Sequence, residues 1–268
     1  MKTNTSGGIR RALVWRLALA GLALACAPMP APNLGTQALP LRVGISPDYP
    51  PLAFRHDGTV AGIEPDFARL AAAELGRRPE FVELAWDALI PSLEARRIDV
   101  IMSGMSITPE REAHVLFTTP YMGIGQLALI RRADVARLGS ADAIRRPGAR
   151  VGYVRDTTGA EFVRGELGRA ESYAFDSVED GLRSLRGGRI EYFVHDAPTA
   201  WRVALAPNED ELMGLYTPLT REHLAWAVAK DDTVLKQELD TILDAWRAHN
   251  RLGPILDRWI PVRVSLRD

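Results

Sequence analysis

One cysteine in 268 residues excludes an internal disulfide framework. The body of the chain carries no block of basic residues, which argues against nucleic acid as a partner. Beyond residue 26 no apolar run is long enough to cross a bilayer, so a transmembrane receptor is not expected. No repeat or low-complexity tract follows residue 40. No cofactor and no metal are expected.

What is present starts at the N-terminus. Lys2, Arg10, Arg11 and Arg16 form a basic start, followed by the apolar run Leu17–Ala25 and then Cys26. That run is too short to span a membrane and suits a signal peptide over residues 1–26. Leu22-Ala-Leu-Ala-Cys26 resembles a bacterial lipoprotein signal, with Ala23 where leucine is usual. The resemblance implies lipidation of Cys26 and a location in the periplasm or at the cell surface. Residues 27–40, with closely spaced prolines, read as an extended tether. Removing residues 1–25 takes 33 basic residues to 29 against 34 acidic ones, leaving a mildly acidic body of net charge −5.

The rest alternates short apolar runs with amphipathic ones. Strands are expected at Leu41–Ile45, Glu80–Leu84, Val100–Met102, Gln126–Arg131, Arg150–Val154, Glu191–Val194 and Leu224–Ala229. Helices are expected at Pro65–Leu75, Ala88–Ala95, Val178–Leu185, Thr233–His249 and Pro254–Trp259. Such alternation predicts an α/β fold with mostly parallel sheet. Long connections at Leu116–Arg132 and near Leu215–Glu222 would cross twice between two lobes and leave a cleft.

The richest stretch is Asp99-Val-Ile-Met-Ser-Gly-Met-Ser-Ile-Thr-Pro-Glu-Arg111. Thr108 can cap a helix, Pro109 fits its first position and Arg111 follows in the same turn. A helix start already gathers unpaired N–H groups and positive dipole, so a cation there suits a bound anion such as a carboxylate. The plain alternative is a solvated arginine on an ordinary turn.

Other strand ends converge on the same chemistry. Ser46-Pro-Asp-Tyr-Pro-Pro51 presents Tyr49, Trp86 stands before a helix, and Ser103-Gly-Met-Ser106 is rich in hydroxyls. Asp156-Thr-Thr-Gly159 feeds a helix start, and His195-Asp196 ends a strand. Arg111 with the N–H groups near Ser106 and Thr158 would hold a carboxylate, and Asp196 an ammonium group. Tyr49 and Trp86 would enclose the remainder. Each has a structural alternative: Tyr49 can pack a turn, Trp86 can be core, Asp196 can be a helix cap and His195 a structural neighbour. Asp156 would oppose an anion unless it points away.

These residues give the chain a family likeness. It resembles the periplasmic solute-binding proteins of polar amino-acid ABC importers, of the type II fold, from about Leu41 to Trp259. The matching pieces include Tyr49-Pro-Pro51, Gly62-Ile-Glu-Pro-Asp66, Trp86-Asp-Ala-Leu-Ile-Pro-Ser-Leu93, Ile98–Arg111, Phe117-Thr-Thr-Pro-Tyr121, Thr157-Thr-Gly159 and Asp196. The resemblance implies a monomeric clamp of two lobes, 41–127 plus 222–268 and 128–221, that closes on a free amino acid and delivers it to a membrane permease. By position Arg111 takes the carboxylate, Asp196 the ammonium group, Ser103, Ser106 and Thr158 further polar contacts, and Tyr49 and Trp86 the side chain; no catalytic residue is implied. Asp156 stands where glycine is frequent, Leu52 where an aromatic is common, and Ser46 where some binders of basic amino acids place an acid. The same fold serves periplasmic cyclohexadienyl (arogenate or prephenate) dehydratases, the enzymatic alternative. Asp196 lacks the second acid beside it that proton transfer to a leaving hydroxyl would need, since Ala197, Pro198 and Thr199 follow.

Overall fold

Two five-stranded sheets repeat one topology in the computed structural model, which describes residues 39–140 and 142–260. The expectations for the leader, Cys26 and the tether up to residue 38 lie outside the described residues. The first sheet runs in the order Arg78–Glu83, Pro40–Ile45, Val100–Ile101, Ala227–Ala229, Val115–Phe117. Its first three strands are parallel, and Ala227–Ala229 runs antiparallel to both its neighbours. The second sheet runs Glu171–Phe175, Arg150–Val154, Tyr192–Asp196, Gln126–Arg131, Leu212–Leu215. Here too three parallel strands are followed by an antiparallel one, Gln126–Arg131. In each sheet the antiparallel member is the strand that has just crossed from the other. This is the two-lobed α/β arrangement of a type II periplasmic binding protein.

The crossing limbs pair with each other as the antiparallel ribbon of Met122–Ile124 and Glu222–Leu224. They press so close that a Cβ on Gly125 would lie 2.2 Å from the carbonyl oxygen of Thr220. Glycine is required there by the approach of backbone to backbone. The boundary expected at residue 127 falls inside Gln126–Arg131, all of which pairs within the second sheet. The chain has therefore crossed by Gly125.

The expected single strand Leu224–Ala229 divides into Glu222–Leu224 and Ala227–Ala229. The reason is a change of partner. Leu224 pairs with Met122 in the ribbon, whereas Ala227 pairs with Ile101 and Phe117 in the first sheet. A three-stranded sheet of Asp48–Tyr49, Ala53–His56 and Thr59–Ala61 was not expected, because the surrounding prolines obscure any alternation. Its tight turn is Asp57-Gly58, both residues with positive φ, as a two-residue hairpin of right-handed strands demands.

The helices follow apolar periodicity and start at recognisable signals. Ile63–Glu74 buries Ile63, Phe67, Ala68, Ala71 and Ala72. Phe67 meets the fully buried rings of Trp226 and Trp246 at centroid distances of 6.1 and 5.8 Å. Burying each such side chain contributes roughly 1.5–3 kcal/mol. Pro109–His114 begins with Thr108, whose hydroxyl accepts the Arg111 N–H at 3.2 Å. Thr233–Ala248 and Leu252–Trp259 close the described chain. Among the described residues no helix is long and apolar enough to cross a membrane.

Candidate functional site

The carboxyl ends of strands from both sheets face one cavity of about 310 Å³. From the first sheet's side come Tyr49, Trp86, Gly104, Ser106 and Arg111; from the second come Asp156, Thr157, Thr158, His195 and Asp196. Six of the seven expected site residues of the folded body thus share its wall.

Arg111 is 9% exposed and stretches back from its short helix. It donates to the carbonyl oxygen of Ser106 at 2.9 Å and, at 3.4 Å, to that of Asp156. Its guanidinium carbon lies 5.4 Å from the centre of the Trp86 ring. Burial lowers its pKa, and the charges of Glu161, Glu222 and Glu110 work in the other direction. Among the described residues its hydrogen bonds end on carbonyl oxygens and none on a carboxylate, so this buried cation has neutral hydrogen-bond partners. A desolvated guanidinium in that state favours an incoming anion.

Asp196 ends the strand Tyr192–Asp196 and is likewise 9% exposed. The Tyr49 hydroxyl donates to one of its oxygens and the Gln126 side-chain amide to the other. Burial, with the Glu222 charge second, raises its pKa well above the ordinary carboxylate value. It stands at the N-cap position of Ala197–Ala204 without a capping hydrogen bond from its side chain. The helix-cap alternative therefore does not account for its carboxylate. An acid held against its charge in this way favours a cation beside it.

Trp86 opens a short 3-10 turn, Trp86–Ala88, and donates its indole N–H to the carbonyl oxygen of Asp156 at 2.7 Å. Asp156 has φ +57, the left-handed region in which glycine is most at ease. That backbone requirement explains why glycine suits this place, and the Asp156 carbonyl oxygen accepts from both Trp86 and Arg111. Thr158 accepts from Gln126 at 3.0 Å, while its neighbour Thr157 caps the helix Thr158–Glu166. Ser106 donates to Glu222 at 2.7 Å.

Ser103 departs from expectation. It is fully buried, its hydroxyl accepts the Ser46 N–H at 2.9 Å, and it is not part of the cavity wall. The hydroxyl is used to join two loops of the first sheet. The turn reaches the cavity through Gly104 instead, whose φ of +71 and proximity to Tyr49 leave no room for a side chain: a Cβ would sit 2.8 Å from the ring.

Four residues were not foreseen. His195, set aside as a structural neighbour, lines the cavity, yet its Nδ1 accepts the Asp196 N–H at 2.8 Å and its ring packs edge-on to Tyr49 at 5.4 Å. Burial, then Arg202, pushes its pKa down to about 3, so it is neutral. Asp48 lines the cavity and accepts from the Ser46 hydroxyl at 2.8 Å. Gln126 and Glu222 lie on the two crossing segments; only their position in those connections could have marked them. Among the described residues no group of three or more His, Cys, Asp or Glu is placed to hold a metal.

Comparison with known proteins identifies relatives of the whole fold. ABC transporter arginine-binding protein 1 of Escherichia coli (strain K12) is 27% identical over 230 residues, spanning 82% of this chain and 90% of its own. Cyclohexadienyl dehydratase of Pseudomonas aeruginosa is 28% identical over 224 residues, 83% of each chain. The crystal structure of the ancestral amino acid-binding protein AncCDT-1, a precursor of cyclohexadienyl dehydratase, superposes with a TM-score of 0.76 at 30% identity, covering 82% of this chain and 95% of that one. Residues 41–262 match one family throughout: the chain belongs to the bacterial extracellular solute-binding proteins, family 3.

Proposed function

We propose that the cavity binds a free amino acid outside the cytoplasm and that the loaded protein delivers it to an ABC transporter permease. One observation carries this reading: among the described residues, a buried guanidinium that is ion-paired with no carboxylate and a buried carboxylate that is ion-paired with no cation line the same small cavity. An α-carboxylate at Arg111 and an α-ammonium at Asp196 would satisfy both, with Ser106 and Thr158 as further polar contacts and Tyr49 and Trp86 as walls. Closure of the lobes then follows from contacts that only the closed form makes.

The side-chain end is acidic. Five aspartates and two arginines line the cavity, and one of those arginines, Arg155, is ion-paired with Asp176. With Arg111 and Asp196 assigned to the zwitterion, Asp48, Asp87 and Asp156 remain as surplus negative charge at the mouth. Ser46 is not the acid found there in some binders of basic amino acids, but it orients Asp48 two residues on. A cationic amino acid is the class this supports, in line with the arginine-binding relative. Secretion by the leader, lipid anchoring at Cys26 and a monomeric state belong to the same reading.

The dehydratase alternative has a relative in its favour and chemistry against it. On the helix that follows Asp196, the Thr199 hydroxyl donates to the carbonyl oxygen of Pro50 at 3.3 Å. That helix, Ala197–Ala204, carries no acid that could protonate a leaving hydroxyl, and Glu222 reaches Asp196 only through the Gln126 amide. The test is to strip carried-over ligand by unfolding and refolding, then to screen amino acids by thermal shift. Stabilisation by L-arginine or L-lysine that is abolished in Arg111→Ala is expected. Equal stabilisation of that variant, or release of an aromatic product from prephenate or arogenate, would overturn the assignment.

A further inference from the structure

We propose that Glu222, which lies outside the cavity, is a positioning residue for ammonium binding: it sets the charge of Asp196 through the Gln126 side-chain amide and ties that charge to the returning crossing limb. The inference rests on the reading of Asp196 as the ammonium partner.

Three elements meet at Glu222. It begins the returning limb, Glu222–Leu224, whose Leu224 bridges to Ser106 in the cavity wall. One carboxylate oxygen accepts from the Ser106 hydroxyl at 2.7 Å. The other accepts from Thr220 at 2.6 Å and from the Gln126 amide nitrogen at 3.2 Å. That same nitrogen donates to Asp196 and, at 3.0 Å, to Thr158, so its two hydrogens are shared among three acceptors. One fully buried amide therefore stands between two carboxylates, buried Asp196 and partly exposed Glu222. Its carbonyl oxygen has no partner, the arrangement expected when both carboxylates demand the NH₂ end.

Two acids bridged by one neutral amide repel each other, and among the described residues neither is ion-paired; Arg111, the cation coupled to Glu222, gives its hydrogen bonds to carbonyl oxygens instead. Asp196 is faced by the Tyr49 hydroxyl, by neutral His195 on its own strand, and by Glu222. Arg202, on the following helix, acts on His195. Arg111 feels Glu222, Glu161 and Glu110 but donates to carbonyl oxygens. A cation arriving at Asp196 relieves the repulsion between the pair, and the relief is transmitted to the limb on which Glu222 sits.

The experiment is a pH titration of the carboxyl ¹³C shift of Asp196 in ligand-free wild type and Glu222→Gln, paired with L-arginine affinities by calorimetry between pH 5 and 8. Removing the Glu222 charge should lower the Asp196 midpoint by about one pH unit, a roughly tenfold change in acidity. The acid limb of the affinity profile should move the same way. Glu222→Asp restores the charge and should restore the wild-type midpoint, which a purely structural role would not predict. An unmoved midpoint in a folded Glu222→Gln protein overturns the proposal while leaving amino-acid binding intact. Failure of wild type to bind any amino acid overturns the ammonium role itself, whatever the midpoint does.

Discussion

Tyr49 and Asp196 stand 147 residues apart in the chain and meet through one hydrogen bond, the phenol donating to the carboxylate. Tyr49 belongs to the small three-stranded sheet that follows the first strand of the first sheet, and Asp196 to a strand of the second, so this bond closes the cavity across both. Tyr49→Phe keeps the ring and removes the donor. Loss of a hydrogen bond to a charged group costs about 1.5–3 kcal/mol, so amino-acid affinity should fall roughly tenfold or more. Calorimetric affinities equal to wild type would show that the bond does not support the charged form of Asp196.

Asp48 gives a test of the cationic preference. It is exposed, and its effect on a bound cation is therefore screened. Asp48→Asn should weaken L-arginine and L-lysine by about two- to fivefold, the worth of an exposed charge pair, and leave neutral amino acids unchanged. The difference should shrink at high salt. An equal loss for charged and neutral amino acids would point to loop distortion instead.

Gly104→Ala addresses the close approach under Tyr49. The left-handed φ of +71 and the 2.8 Å contact both oppose a methyl group. A cost of about 1–3 kcal/mol in denaturant unfolding is expected, together with weaker ligand binding as the Tyr49 ring is displaced. Wild-type stability in this variant would show that the turn is free to relax.

Glu64 sets a pH dependence of its own. Its fully buried carboxyl takes hydrogen bonds from Tyr121 at 2.5 Å, from the Gly104 N–H at 2.6 Å and from Trp226 at 3.1 Å. Burial outweighs these bonds and pushes its pKa up to about 7. The native protein then holds this proton where the unfolded chain, with an ordinary value of 4.5, has released it. Stability of the ligand-free protein should therefore fall as pH rises from about 4.5 through 7, by an amount on the order of 3 kcal/mol. Asp196, also raised, acts in the same direction. Urea unfolding at pH 5, 6, 7 and 8 measures the slope, and Glu64→Gln should flatten it. A rise in stability across that window would contradict the assignment.

The amino-acid order alone determined the local events. Gln126–Arg131 and Arg150–Val154 are strands with the expected ends, and Thr108, Pro109 and Arg111 open their helix as their chemistry requires. Such features depend on apolar spacing and on a cap a few residues away, so a short window contains the cause. Only the tertiary structure decided that Ser103 would be consumed by the Ser46 N–H, that His195 would be neutral, and that Gln126 would stand between Asp196 and Glu222. Those outcomes depend on burial and on partners from 57 to 96 residues away, brought together by two chain crossings. Desolvation and long-range hydrogen bonds have no local signature in a chain, because neither exists until the sheets have closed around them.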